Sequence, residues 1–360
     1  MQWRWSLDAA INNPLLLMKR YIRKNILELE PYSTARDEFQ GGDISVWLDA
    51  NESPYPNGVN RYPDPHQKRL KERVSQLTGV APESIFIGGA GSDEAIDVIF
   101  RVFCTPGKDN VIAIAPSYGV YKVAAAVNDI EIREVLLNED YSLPAERLLA
   151  AADENTKVMW ICSPNNPTGN AFPKEEILSL AAKFDGIVVV DEAYADFSEK
   201  GSLLGEIGKV KNLIVLRTFS KAWGMAGLRA GMAFSLPEIN EYFGRVKYPY
   251  NMSSMIQEEL MRRIEEGTSD HIPEIVSERN RMAKALEKAG CVERVYPSDA
   301  NFLLVKVKDA DALYDYLIKN GVIVRNRSRM PLCSETLRIT VGTPSENDRT
   351  ISLINEFNNL

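Results

Sequence analysis

Three short stretches carry residue types that can do chemistry, and each directly follows an apolar run. SPNNPTG (Ser163–Gly169) follows Val158–Cys162, DEAY (Asp191–Tyr194) follows Ile187–Val190, and RTFSKAWGMAGLRAG (Arg217–Gly231) begins at the end of the run 213–216. Lys221 sits in the third stretch among Ser, Ala and Gly, with Arg229 further on. Desolvation and a cationic neighbour both lower a lysine's proton affinity, so such an amine can act as a nucleophile near neutral pH. The plain alternative is a surface charge, the fate of most lysines. Asp191 ends the run IVVV, where an unpaired carboxylate is costly to bury; it needs a cationic partner, or else it is an ordinary exposed cap after a strand. Towards the C-terminus Arg325, Arg327, Arg329 and Arg338 follow closely on one another. A phosphate dianion is better served by several guanidinium donors than by one.

These stretches need a scaffold that brings them together. Apolar runs at 111–115, 130–136, 158–162, 187–190, 213–217 and 231–234 alternate with helical patterns. Near-continuous Val/Ile runs predict strands buried on both faces, hence an α/β fold with a mostly parallel sheet flanked by helices. Ligands of such sheets sit at the carboxyl ends of the strands, which aims all three stretches at one pocket. Residues 84–88 predict a further strand, after which Ser92 opens a helix as its N-cap, with Asp93 and Glu94 in the first turn. Ile96, Ile99, Phe100 and Phe103 then form one apolar face. From about Ser253 the pattern changes to a long helical stretch reaching about Gly290, with a break near 267–273. Strand-like runs follow at 292–296, 302–307, 322–325 and 337–341, with helices at 310–320 and from Ser345. The expected organisation is a large domain over residues 51–253 and a smaller α+β domain over 254–360. Residues 1–50 would add an N-terminal arm and part of the small domain.

Composition narrows the function classes. The 360 residues are 45% hydrophobic and 26% charged, which excludes a disordered chain or a disulfide mini-scaffold. A net charge of −8 argues against non-specific nucleic-acid binding. The 2 histidines, His66 and His271, lie far apart, which disfavours a His-based metal cage and most Ser-His-Asp arrangements. The 4 cysteines show no C-x-x-C spacing and are expected as free buried thiols in a reducing compartment. No run of about 18 uncharged apolar residues is present, and Asp8, Asn12 and Asn13 interrupt any signal-peptide core. A cytoplasmic protein with no membrane partner is the expectation. Residues 1–18, with Trp3 and Trp5, show no clear period and read as an alternative-start extension or a docked arm.

The trio of motifs, in this order, resembles the fold-type I, pyridoxal-phosphate-dependent aminotransferases over essentially residues 26–360. Intervals of 25 residues from Asn166 to Asp191 and 30 from Asp191 to Lys221 suit that family. LEPYSTAR, LDANESP, NRYPDP and LRITVG resemble its histidinol-phosphate aminotransferase branch. The resemblance implies pyridoxal 5'-phosphate as cofactor and Lys221 as the residue that forms a Schiff base with its aldehyde and later moves a proton. Asp191 is implied to face the pyridinium nitrogen, while Tyr194 and Asn166 donate hydrogen bonds to the phenolic oxygen. Asn166 also serves as a turn residue before Pro167. The start of the helix at Gly91, Ser92 and Asp93 is expected to hold the cofactor phosphate with Ser220 and Arg229, since helix N-termini offer oriented N–H donors. A plain strand–turn–helix would look similar. Tyr118 resembles the ring that stacks on the cofactor. Tyr62 resembles the tyrosine that reaches a partner subunit's cofactor phosphate, implying a homodimer with shared active sites. A core or surface tyrosine is the alternative for each.

For the substrate, the resemblance implies that Arg325, Arg338 and Tyr32 hold a phosphate group, with Asn51 facing the substrate or acting as a turn residue. Arg327 and Arg329 are expected as solvated loop charges. The implied reaction is amino transfer between L-histidinol phosphate and 2-oxoglutarate, giving imidazole-acetol phosphate and L-glutamate. A threonine-phosphate decarboxylase would keep the cofactor residues and a phosphate-binding arginine. An aromatic amino-acid aminotransferase would differ mainly in the side-chain pocket. The sensor half of a transcription regulator would need a DNA-binding domain of about 60 or more residues, for which the N-terminal arm is too short.

Overall fold

The Val- and Ile-rich runs become the centre of a seven-stranded sheet. Its strands are β1 (Ile85–Gly91), β2 (Asn110–Ala115), β3 (Glu131–Leu136), β4 (Thr156–Cys162), β5 (Ile187–Asp191), β6 (Leu213–Thr218) and β7 (Gly231–Phe234). They lie in the order β1-β7-β6-β5-β4-β2-β3. The strands from β3 through β2, β4 and β5 to β6 run parallel, and β7 is antiparallel to both β6 and β1. The computed structural model describes residues 18–34, 37, 44–267 and 271–357.

The central strands are apolar throughout because both of their faces are covered. On one face Trp160 stacks between Phe100 and Tyr121, at ring-centroid distances of 5.3 and 4.9 Å. On the other, Met159, Val188 and Val190 pack with Phe219 and Leu260. The edge strand β3 is only partly buried and carries Glu131, Arg133 and Glu134, charges that suit an edge. Met18, Ile22 and Ile26 bury their side chains in this large core beside Phe100 and Phe243, not in that of the smaller sheet. The first 17 residues, with Trp3 and Trp5, lie outside the described residues, as do Ala35 and Arg36 of the PYSTAR stretch.

A second, antiparallel sheet has the order β10-β11-β9-β8, from β8 (Val292–Val295), β9 (Phe302–Val307), β10 (Arg325–Asn326) and β11 (Thr336–Thr340). Leu303, Val305, Leu313, Leu337 and Leu353 form its separate core. The helical stretch after Ser253 is split into Ser254–Glu265 and Ile272–Leu286. One expected strand is much shorter than its apolar run. Val322 is consumed in ending the helix Ala310–Lys319, its N–H bonding to Leu317 O at 2.8 Å beside Gly321 at φ +81°. A glycine in the left-handed region is the usual way to turn a chain out of a helix. Among the described residues no helix is long and apolar enough to cross a membrane, and all four cysteines are buried and unpaired.

Candidate active site

Three neighbouring strands end side by side. Cys162 of β4 is in register with Asp191 of β5, and Asp191 with Leu216 of β6. The stretches that follow them therefore meet. Asn166, Asp191, Tyr194, Ser220, Lys221 and Arg229 line one cavity, completed by Gly91, Ser92, Asp93 and Tyr118.

Asp191 forms the cavity's acidic end. It is 3% exposed, accepts the Tyr121 hydroxyl at 2.7 Å and the Ala193 N–H at 3.1 Å, and has no cation within ion-pair distance among the described residues. Burial pushes its pKa above the ordinary carboxylate value; the two hydrogen bonds oppose that only in part. A buried carboxylate with no counter-charge calls for a positively charged group in the cavity.

Lys221 is open to the same cavity. Its amine makes no hydrogen bond or ion pair among the described residues, and its nearest aromatic neighbour is the Tyr194 ring, with Nζ 5.6 Å from the centroid. Desolvation, and next the positive charge of Arg338, hold its proton affinity below that of an ordinary lysine. An unengaged amine with lowered basicity is a competent nucleophile and proton carrier.

At the opposite end β1 runs straight into the helix Ser92–Phe103. The N-cap is Gly91, not Ser92 as its residue type suggested, because the junction needs φ +81°, which glycine adopts freely. Among the described residues no side chain caps this helix, so its first N–H groups, which have no intrahelical acceptor, are left for a ligand. Arg229 lies beside them in a left-handed conformation at φ +51°, uncommon for a residue with a side chain. Its guanidinium donates to Ala90 O at 3.2 Å and to Asp93 Oδ2 at 3.3 Å. The Asp93 carboxylate also accepts the Tyr118 hydroxyl at 3.1 Å, so its side chain orients Arg229 and Tyr118.

Arg325 and Arg338 of the small sheet are not among the residues lining this cavity, but Arg338 reaches its edge. Arg338 on β11 donates to Asn166 Oδ1, lies 5.2 Å from the Phe302 ring centroid, and pairs across the ladder with Arg325 of β10. Arg325 and Arg329 are exposed, but Arg327 is half-buried.

Tyr32, Asn51 and Tyr62 do not line this cavity within one chain. Tyr32 is 72% exposed; Tyr62 is 47% exposed and stacks on Tyr250 at 4.4 Å. Tyr62 and Asn51 line a separate depression with Arg61 and Met255. Sequence reasoning missed Tyr121, which holds Asp191; its signal was its place three residues after Tyr118, just inside the helix Val120–Val127, where the two rings meet edge-on at 5.6 Å. It also missed Glu192, 3% exposed, which accepts from the Leu203 N–H at 2.6 Å and from Arg217 at 3.4 Å. That ion pair ties the ends of β5 and β6 from behind. Among the described residues no cluster of His, Cys, Asp or Glu could hold a metal ion.

Comparison with known proteins follows the same line. The sequence pattern described as "Aminotransferase class I and II" fits residues 36–354. The chain is 52% identical over 345 residues to a histidinol-phosphate aminotransferase of Parabacteroides distasonis, covering 95% of this chain and 99% of that one. It is 48% identical over 342 residues to the Bacteroides thetaiotaomicron protein of the same name, covering 94% and 99%. Among solved structures, the histidinol-phosphate aminotransferase of Sinorhizobium meliloti in complex with pyridoxal-5'-phosphate has the same fold. Its TM-score is 0.77 at 23% identity, covering 94% of this chain and 97% of that one.

Proposed function

The chain belongs to the class I and class II aminotransferases, among the histidinol-phosphate aminotransferases, and from that premise we propose how its own residues carry the reaction. The reaction is amino transfer between L-histidinol phosphate and 2-oxoglutarate, giving imidazole-acetol phosphate and L-glutamate in histidine biosynthesis. One observation carries the mechanism: an amine without a polar partner and a buried carboxylate without a cation line the same cavity.

Pyridoxal 5'-phosphate fits those unmet needs. A protonated ring nitrogen would answer Asp191, and a phosphate would answer the uncapped helix start, Ser220 and Arg229. Bound there, the cofactor supplies an electron sink for negative charge at the substrate α-carbon. Asp191, itself held in place by the Tyr121 hydroxyl, would keep that ring nitrogen charged. Tyr194 and Asn166, which line the same cavity, would donate hydrogen bonds to the cofactor's phenolic oxygen. With the cofactor bound, Lys221 would hold it covalently, and its Nζ would be the base that moves a proton at the substrate α-carbon. Arg325 and Arg338 would grip the substrate phosphate; Tyr32 and Asn51, outside the cavity within one chain, would meet the substrate only where a second copy brings them to it. Glutamate uses the same pocket, its carboxylate taking the place of the phosphate at the arginines.

Tyr62 would reach the cofactor phosphate of a second copy, so the proposed unit is a homodimer. The exposed apolar side chains lining that depression support it, with Val59 58% and Met255 65% exposed. Four buried, unpaired thiols suit a reducing cytoplasm.

Incubating the cofactor-loaded enzyme with histidinol phosphate, threonine phosphate or phenylalanine, each with 2-oxoglutarate, tests the substrate. Histidinol phosphate is expected to be turned over best. Carbon dioxide released from threonine phosphate, with histidinol phosphate untouched, would overturn the reading. A second test addresses the phosphate cradle. A Cβ at Gly231 would lie 2.0 Å from the Ser92 backbone nitrogen, a clash that must push the helix start away. Gly231→Ala is expected to weaken cofactor binding by about tenfold or more, a loss of ~1.4 kcal/mol. Gly244→Ala, where a Cβ meets nothing within 4 Å, is the control. Equal cofactor affinity of the two variants in equilibrium dialysis would remove the cradle from this position.

A further inference from the structure

We propose that Arg327 is a specificity-determining residue, the third guanidinium of a cup with Arg325 and Arg338 that favours a phosphate dianion over a carboxylate. This rests on the reading above that the substrate is a phosphorylated amine. The sequence suggested only a solvated loop charge; strand geometry places the residue differently.

Arg325 pairs with Arg338 across the β10–β11 ladder, and the Arg327 N–H continues that ladder to Thr336 O at 2.9 Å. Side chains alternate along a strand, so Arg325 and Arg327 share one face while Asn326 turns away to Asp311. Arg338, opposite Arg325, is on the shared face and reaches Asn166 in the cavity. Arg327 is half-buried, and its Nε and that of Arg338 are buried with no hydrogen-bond partner among the described residues. Among the described residues no carboxylate lies within ion-pair distance of any of the three.

Three gathered guanidiniums with no acid are an unfavourable arrangement until an anion arrives. Burial, and then the charges of Arg338 and Arg325, push the Arg327 guanidinium down to about 10, still protonated at neutral pH. Two arginines suffice for one carboxylate. A phosphate carries up to a second charge and three acceptor oxygens, which gives a third guanidinium something to bind. Arg327 also lies within electrostatic reach of the Tyr194 hydroxyl, so its effect on substrate must be separated from an effect through that residue.

The experiment compares cofactor-loaded wild type, Arg327→Gln and Arg327→Lys. In Arg327→Gln the KM for histidinol phosphate is expected to rise about 10- to 100-fold, the size of one hydrogen bond between charged groups. The KM for glutamate in the reverse direction should stay within about twofold, and the cofactor absorbance should not move. Arg327→Lys, which keeps the charge without the fork, should fall between, and serves if the glutamine variant does not fold. Thermal stability of Arg327→Gln is expected to equal or exceed that of wild type, because a like charge has been removed. Equal losses for both substrates, no loss for either, or a shifted absorbance pointing to Tyr194 would each overturn the proposal. Inhibition of the loaded enzyme by inorganic phosphate supplies an independent reading. It should weaken in Arg327→Gln even if histidinol phosphate proved not to be the substrate of the wild type.

Discussion

Replacing Lys221 with alanine is expected to lower the turnover number by about 10⁴-fold or more. The proton transfer proposed for Lys221 is by itself worth up to about 10⁴-fold, and the proposed covalent link would be lost with it. No second amine is positioned to substitute, since Lys221 is the one lysine lining the described cavity. The cofactor should still enter the variant, because the helix start, Ser220 and Arg229 are untouched. Single-turnover kinetics and borohydride treatment check this: wild type should retain cofactor fixed at Lys221, and the variant should retain none. Lys209→Ala is the control, as Lys209 is exposed and paired with Glu206. Full turnover by Lys221→Ala would refute the mechanism at its root.

Asp191→Asn is the second large expectation, a loss of about 10²- to 10³-fold in turnover, the size typical of removing one preorganised electrostatic partner. Asparagine keeps the shape but cannot hold a cation on the ring nitrogen. Stability should move the other way. Asp191 takes up its proton more readily folded than unfolded, so its contribution is present below the unfolded value of 3.8 and is lost as pH rises through the folded one. Once the pH passes that folded value, the cofactor-free wild type carries a buried, uncompensated charge that the variant lacks. Thermal scans at pH 7 should show cofactor-free Asp191→Asn at least as stable as wild type, with cofactor stabilising the wild type more. Equal stabilisation of both by the cofactor, or undiminished turnover, would sink the assignment.

Much of this was legible in the residues alone, for physical reasons that differ from element to element. The strands at 158–162, 187–191 and 213–218 announce themselves because a strand buried on both faces has nowhere to put a polar side chain. Asn166, Asp191 and Lys221 stand just past those runs, where polar groups become affordable and ligands bind, so their convergence followed from the strands. Features set by contacts between distant segments stayed hidden. Gly91 displaced Ser92 as N-cap because Arg229 and Gly231 crowd that junction from another part of the chain. Val322 is apolar enough for a strand but is spent on closing a helix. Arg327 and Arg329 are alike in sequence; only the register of β10 against β11 buries one and leaves the other in water. Tyr32, Asn51 and Tyr62 matched motifs yet stand away from the cavity of their own chain. Local patterning encodes which backbone elements form, because burial acts on each run by itself. Which charges face one another is decided by the packing of two sheets, and that exists only once the chain has folded.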